Sequence, residues 1–168
     1  MNGYIKRISY DFSGYDEDEK EFVTYDEKPF TGVLYEELNG KLISEASVVQ
    51  GIKDGYTLWY YNSGKVEQIQ ELGKHTIIGL LAKWDENGLL VSAEKRWSSL
   101  LVERLLEERG IWSYERVATE QQINESQSSP LTNMYNYRKE SIYDLLAEAE
   151  EKIKNGTVFD DPRLYSEG

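Results

Sequence analysis

Cysteine is absent from the 168 residues, and histidine occurs once. Without a thiol the chain has no disulfide framework, no thiolate metal site and no thiol nucleophile. A single histidine, His75, cannot make a two-histidine metal site or serve a triad that needs a second one. Its place between Gly73 and Gly79 reads as a solvated loop rather than a general base. No glycine cluster leads from a strand into a Gly-Lys-(Ser/Thr) helix start, so a phosphate-cradling loop is missing too. Long apolar runs are lacking: residues 1–25 hold Lys6, Arg7 and six acidic side chains, which argues against a signal peptide or membrane helix and points to a cytoplasmic protein. Adjacent acids such as Glu36-Glu37, Asp85-Glu86 and Asp160-Asp161 are ordinary among 31 acidic residues and do not define a catalytic pair. The absences together predict a protein that is not an enzyme and uses no cofactor or metal.

What is abundant is negative charge. Thirty-one acidic against 19 basic residues give a net charge of -12. Such a surface repels nucleic-acid phosphates and anionic lipid, which leaves no nucleic acid and no membrane among the expected partners and favours a cationic protein. Mere solubility is the plainer reading of the same charge. With 39% hydrophobic residues the chain is long and apolar enough to bury a core.

Glycine is placed periodically. Asn39-Gly40, Ser63-Gly64 and Asn87-Gly88 recur every 24 residues between aromatic-rich runs of strand length, and Gly32, Gly55 and Gly79 precede them by eight or nine. Asn-Gly fills the positive-φ positions of a two-residue type I′ turn, so each unit reads as a β-hairpin, with the second glycine series marking the returns. Lys53-Asp54-Gly55 is one such return and Gly73 to Gly79 a looser one. Three units, about 29–51, 52–73 and 74–96, then form one antiparallel meander.

The phrases Pro29-Phe30-Thr31-Gly32 with Tyr35 and Asn39-Gly40-Lys41-Leu42, then Asp54-Gly55 with Trp59-Tyr60-Tyr61 and Ser63-Gly64-Lys65-Val66, resemble the MORN-repeat variant. More narrowly, they resemble bacterial antitoxin or immunity proteins built from it. The third unit departs from the pattern, with Lys83-Trp84-Asp85 in place of Trp59-Tyr60-Tyr61. The resemblance covers roughly residues 29–96, and it implies a cytoplasmic protein that neutralises a cognate toxin.

Ahead of the repeats, Tyr4–Tyr10 and Glu21–Tyr25 alternate as strands and are expected to form a hairpin extending the same sheet, joined by the acidic run 16–19 as a solvated loop. Within the repeats, Tyr56, Leu58 and Tyr60 align with Leu80, Ala82 and Trp84 as the core face. Thr57, Trp59 and Tyr61 lie opposite. Either C-terminal helices cover that side, or Trp59 and Tyr61 belong to a binding surface.

Residues 1–97 thus read as a hairpin-repeat sheet and 98–168 as a helical appendage. A first helix is expected from Ser98 or Ser99 through Leu101, Val102, Leu105 and Leu106 to Gly110, bracketed by Trp97 and Trp112 as packing residues. A flexible loop over 118–130 follows. A second helix starts at Ser141, runs through Ile142, Leu145, Leu146, Ala149 and Ile153, and ends at Gly156. The fold class is α+β: an antiparallel meander of stacked hairpins with C-terminal helices packed on or beside the sheet. The expected function is binding and neutralisation of a basic toxin domain through Glu36, Glu37, Asp54, Asp85 and Glu86, with Trp59 and Tyr61 as aromatic anchors. The alternative is a non-catalytic protein-interaction or self-associating scaffold module; a monomer is favoured.

Overall fold

The computed structural model describes residues 3–16, 22–98, 100–126 and 134–166. Five short strands open the chain: β1 (Tyr4–Ile5), β2 (Arg7–Ser9), β3 (Gly14–Asp16), β4 (Phe22–Tyr25) and β5 (Lys28–Pro29). The meander follows as β6 (Gly32–Leu38), β7 (Lys41–Val49), β8 (Ile52–Tyr60), β9 (Val66–Gly73), β10 (Thr76–Trp84), β11 (Leu90–Trp97), β12 (Leu100–Glu108) and β13 (Ile111–Arg116). Helices α1 (Glu120–Ser126) and α2 (Ile142–Asn155) and a last strand β14 (Tyr165–Ser166) complete it. The expected α+β architecture is present: strands β6 to β13 lie side by side in chain order, and β2 joins as the ninth strand beside β6.

The turns explain the meander. Asn39 and Gly40 have φ of 53° and 76°, the two positive values of a type I′ connection, and Leu38 pairs with Lys41 around it. The next two turns at this end are built differently. Gly64 N–H bonds the Tyr61 carbonyl and Tyr61 N–H the Lys65 carbonyl; Gly88 and Asp85 repeat the arrangement with Leu89. Only the glycine there has positive φ, which marks a longer loop with one left-handed residue. Of the returns, the one expected at Lys53-Asp54-Gly55 falls earlier, at Gln50-Gly51, while the other, Lys74-His75, falls within the expected Gly73–Gly79 connection; both have paired positive φ, and Gly55 and Gly79 lie inside strands. Gly79 has a packing reason, since a Cβ there would sit 2.0 Å from a Glu71 carboxylate oxygen.

Two expected elements fail. The N-terminal strands do not extend the sheet as a hairpin. Strand β2 runs parallel to β6, with the Lys6 carbonyl accepting from Val33 N–H at 2.9 Å, and β3, β4 and β5 form a separate three-stranded sheet. That small sheet folds over one corner of the large one, burying Val23 and Phe30 with Leu34 and Val48. The acidic run beyond Asp16 lies outside the described residues.

The stretch read as a helix over 98–110 is strand β12, and the sheet continues through β13. Its alternation is hidden because Glu103, a charged residue, holds an inward position, 3% exposed, opposite Lys95. The supposed helix stop, Arg109-Gly110, is a fourth hairpin turn with φ of 53° and 79°. The helical appendage therefore begins near residue 120. Of the expected loop 118–130, Glu120–Ser126 is helical, and residues 127–130 lie outside the described residues.

Helix α2 forms as expected. Ser141 Oγ accepts from Asp144 N–H, Gly156 closes the helix with φ of 68°, and Ile142, Leu145 and Ala149 are buried. They pack on Leu58, Ile69, Leu80, Ala82 and Ala93, so the predicted core face is the one the helix covers. Burying Ile142 and Leu145 contributes roughly 3–6 kcal/mol before entropy. A second cluster along the same layer joins fully buried Trp97 to Val102, Ala118 and Ile123. Trp112, expected to pack, is exposed.

Candidate functional site

The helix lies on the Leu58 side of the sheet, so it does not cover Trp59. Register places Glu36 beside Ser44, Ser44 beside Trp59, Trp59 beside Gln68 and Gln68 beside Lys83, one row across five strands on the opposite face. Directly paired residues of antiparallel strands point to the same side, so these side chains form one continuous stripe. Among the described residues, neither Trp59 nor Leu81 of the neighbouring row belongs to an apolar cluster of the interior. Of the two readings open for this face, coverage by the helices is excluded for α2.

The seven residues singled out from the sequence separate accordingly. Glu36 and Glu37 are exposed near the end of β6, and Glu36 shares the Trp59 row. Tyr61 stands at the hairpin-turn end of the sheet, where its hydroxyl donates to the Trp84 carbonyl at 2.7 Å. Glu86 is exposed in the next turn, and its carbonyl accepts from Lys65 Nζ at 3.0 Å. Asp85 shapes that turn: its Oδ1 accepts from the backbone N–H of Asn87 and of Leu89, both at 2.9 Å. Asp54 is the correction. It is 8% exposed, on the helix-covered face, and binds Arg163 at 2.8 Å and the Tyr135 hydroxyl. The chain's own C-terminal segment occupies it. Trp59 and Glu36 are thus brought together, Glu37, Tyr61, Asp85 and Glu86 lie along the turn rim, and Asp54 is elsewhere.

The covered side carries a groove that the sequence did not indicate. About 960 Å³ opens between the end of α2, residues 156–160 and the turns at Gly64 and Gly88. In its lining, Tyr60 donates its hydroxyl to Glu45, and Glu45 pairs with Arg7 of β2. Burial, reinforced by the bond to Glu45, pushes the Tyr60 phenol well above its usual range, so it stays a neutral donor. Trp84 Nε1 donates to Glu150 at 3.3 Å at the wall. Glu45 and Glu150 accept from the protein's own donors, an arrangement that holds β2 and α2 to the sheet.

Among the described residues, no group of three or more His, Cys, Asp or Glu side chains is placed to hold a metal ion. His75 sits in the two-residue return before β10 with φ of 66°. No described helix is long and apolar enough to cross a membrane. The exposed aromatics of β13, Trp112 and Tyr114, were missed because that stretch was read as the sequel of a helix. The signal was present: Gly110 follows Gly88 by 22 residues, close to the 24-residue period.

Comparison with protein-family models, with curated proteins and with solved structures found no match.

Proposed function

We propose that this protein is an immunity protein or antitoxin, which binds a cognate, basic toxin domain and blocks it without chemistry of its own. The observation that carries the reading is the sheet face opposite α2, where Trp59 stands in one row with Glu36 and Lys83 beside an acidic turn rim holding Glu37 and Glu86. A large aromatic side chain on a regular, rigid surface, ringed by charge, is the composition of a protein-recognition site. The net charge of -12 suits a cationic partner through steering and complementarity. The repeat phrases that resemble immunity proteins support the same reading.

Co-expression tests it. The protein and the toxin encoded beside its gene are produced together; a stoichiometric complex and rescue of cell growth are expected. Neither complex nor protection would sink the proposal. A basic nuclease domain gives the strongest case, since acids on the turn rim can take the place of nucleic-acid phosphates in its cleft.

A further inference from the structure

The two edges of the nine-stranded sheet are unlike. At one edge, β2 is three residues long and parallel to its neighbour. At the other, β13 offers six residues, all exposed, and begins Ile111-Trp112-Ser113-Tyr114 without a charge. Native sheets blunt such edges with short strands, charges or proline, because unpaired N–H and C=O groups accept another strand. Only the far end of β13 is blunted, where Glu115 pairs with Arg104 at 2.6 Å.

Hairpin geometry says which backbone groups are free. Glu108 and Ile111 flank the two-residue Arg109-Gly110 turn and exchange both hydrogen bonds, so Ile111, Ser113 and Glu115 point their amides toward β12. Trp112, Tyr114 and Arg116 therefore point theirs outward from the edge. Their side chains lie on the α2 side, since Tyr114 donates to Glu103 at 2.7 Å and stacks on Tyr143 with ring centroids 5.8 Å apart. A groove of about 590 Å³ runs beside them, walled by Leu90, Val91, Leu105, Tyr143 and Leu146. Trp112, Tyr114 and Tyr143 are 43%, 45% and 54% exposed, a clustering of aromatic surface that marks an interaction site rather than scatter. Among the described residues the charged ones lining this groove are Asp85 and Glu107, with no lysine or arginine. One oxygen of each carboxylate accepts from local turn amides, Asp85 from Asn87 and Leu89 and Glu107 from Gly110.

We propose that the β13 edge receives an extended segment of a partner protein as an added strand. The occupant bonds the outward amides of Trp112, Tyr114 and Arg116. It seats a large apolar side chain between Trp112 and Tyr143 and points a lysine or arginine into the acidic groove toward Glu107. Main-chain bonds give such strand addition its affinity, and alternate side chains in a groove give it selectivity. Charge decides the occupant: a groove holding two acids and no base favours a basic segment over a second copy of a chain carrying -12. The inference does not require the partner to be a toxin.

The probe is a library of random twelve-residue peptides displayed on phage and panned against the folded full-length chain. Enriched peptides should alternate large apolar residues with lysine or arginine, and on binding should slow hydrogen exchange at the Trp112, Tyr114 and Arg116 amides. Trp112→Pro removes an outward N–H without touching the β12 ladder and should lower peptide affinity at least tenfold. Tyr143→Lys, on the exposed side of α2, should do the same with an unchanged thermal melt, which covers the case of a misfolded proline variant. Trp59→Ala should leave peptide binding intact. Failure to enrich any peptide overturns the inference, as does a dimer that Trp112→Pro dissociates, because the occupant is then a second copy. Peptides lost with Trp59→Ala but not with the edge variants also overturn it, and they leave the neutralisation proposal standing on the other face.

Discussion

The two faces of the sheet use charge in opposite ways. On the face under α2, Glu45, Asp54, Lys95 and Glu103 are buried, and their partners come largely from outside the meander: Arg7 for Glu45, Arg163 and Tyr135 for Asp54, the Glu140 carbonyl for Lys95. On the opposite face Glu36 and Lys83 are exposed, and Arg104 meets Glu115 in a half-exposed pair. Buried charge cannot be left unpaired, so Glu45, Asp54 and Lys95 each fix the position of a segment outside the meander. Exposed charge fixes nothing and stays available to a partner. A charge in a strand is therefore informative only once its face is known.

Lys95 gives the largest test. Its ammonium lies 3.4 Å from Glu103, 2.6 Å from the Glu140 carbonyl and 4.6 Å above the Tyr137 ring. Lys95→Ala should cost about 3–5 kcal/mol in urea unfolding, because it strands a buried Glu103. Lys95→Met combined with Glu103→Leu should recover most of that loss. A cost below about 1 kcal/mol for the single variant would mean that the covered face tolerates unpaired charge, and the contrast between the faces would collapse.

Arg138 comes next. It binds Glu71 and Glu148 and bridges β9 to α2. Arg138→Ala should cost about 2–3 kcal/mol, measured the same way. Burial first, opposed by Arg138, holds the Glu71 carboxyl above its usual 4.5. A raised pKa in the folded state means that its contribution is fully present below the unfolded value and is lost as pH rises through the elevated one. Glu71→Gln removes that loss, so the stability of the variant relative to the parent should shift in the variant's favour from about pH 4.5 toward neutrality. A shift in the opposite direction would place Glu71 among the carboxylates stabilised by their partner.

How much of this was legible beforehand follows from the same contrast. The turn glycines announced the meander because φ > 0 is a local demand that Asn-Gly meets wherever it occurs. The α2 stripe and its Ser141 and Gly156 ends were legible for the same reason, being contained within one element. Strand β12 was not, since Leu101, Val102, Leu105 and Leu106 also satisfy helical spacing, and the inward residue that breaks the tie, Glu103, is charged. Its inward position depends on pairing with Lys95 of β11, a register that shows only once the stretch is read as a hairpin rather than a helix. Asp54 misled in the same manner: its partner Arg163 lies 109 residues away. At the candidate site Trp59 and Glu36 could be named, but their place in one row could not, because it needs the β7 register between them.

In the Trp59 row, on the face opposite α2, the effects should reverse, with little stability and much binding. Trp59→Ala should cost about 1 kcal/mol or less in unfolding, since only part of the ring is buried. Toxin affinity should fall by about 2 kcal/mol, roughly thirtyfold, in a calorimetric titration, the range of an aromatic hot spot. A variant that unfolds easily but still binds would assign Trp59 to the interior.

Lys83 is the matched control for Lys95. It lies on β10, one strand from β11 and its Lys95, but faces outward and is exposed. Lys83→Glu should change unfolding stability by less than about 0.5 kcal/mol, because no buried group loses a partner. Its effect belongs to encounter: an added negative charge beside Trp59 should raise the association rate of a basic toxin a few-fold at low salt, with the gain fading as salt screens it. Stopped-flow association at several ionic strengths reads this directly. If the rate falls instead, Lys83 contacts an acidic group of the partner, and the row through Trp59 recognises a mixed rather than a cationic surface.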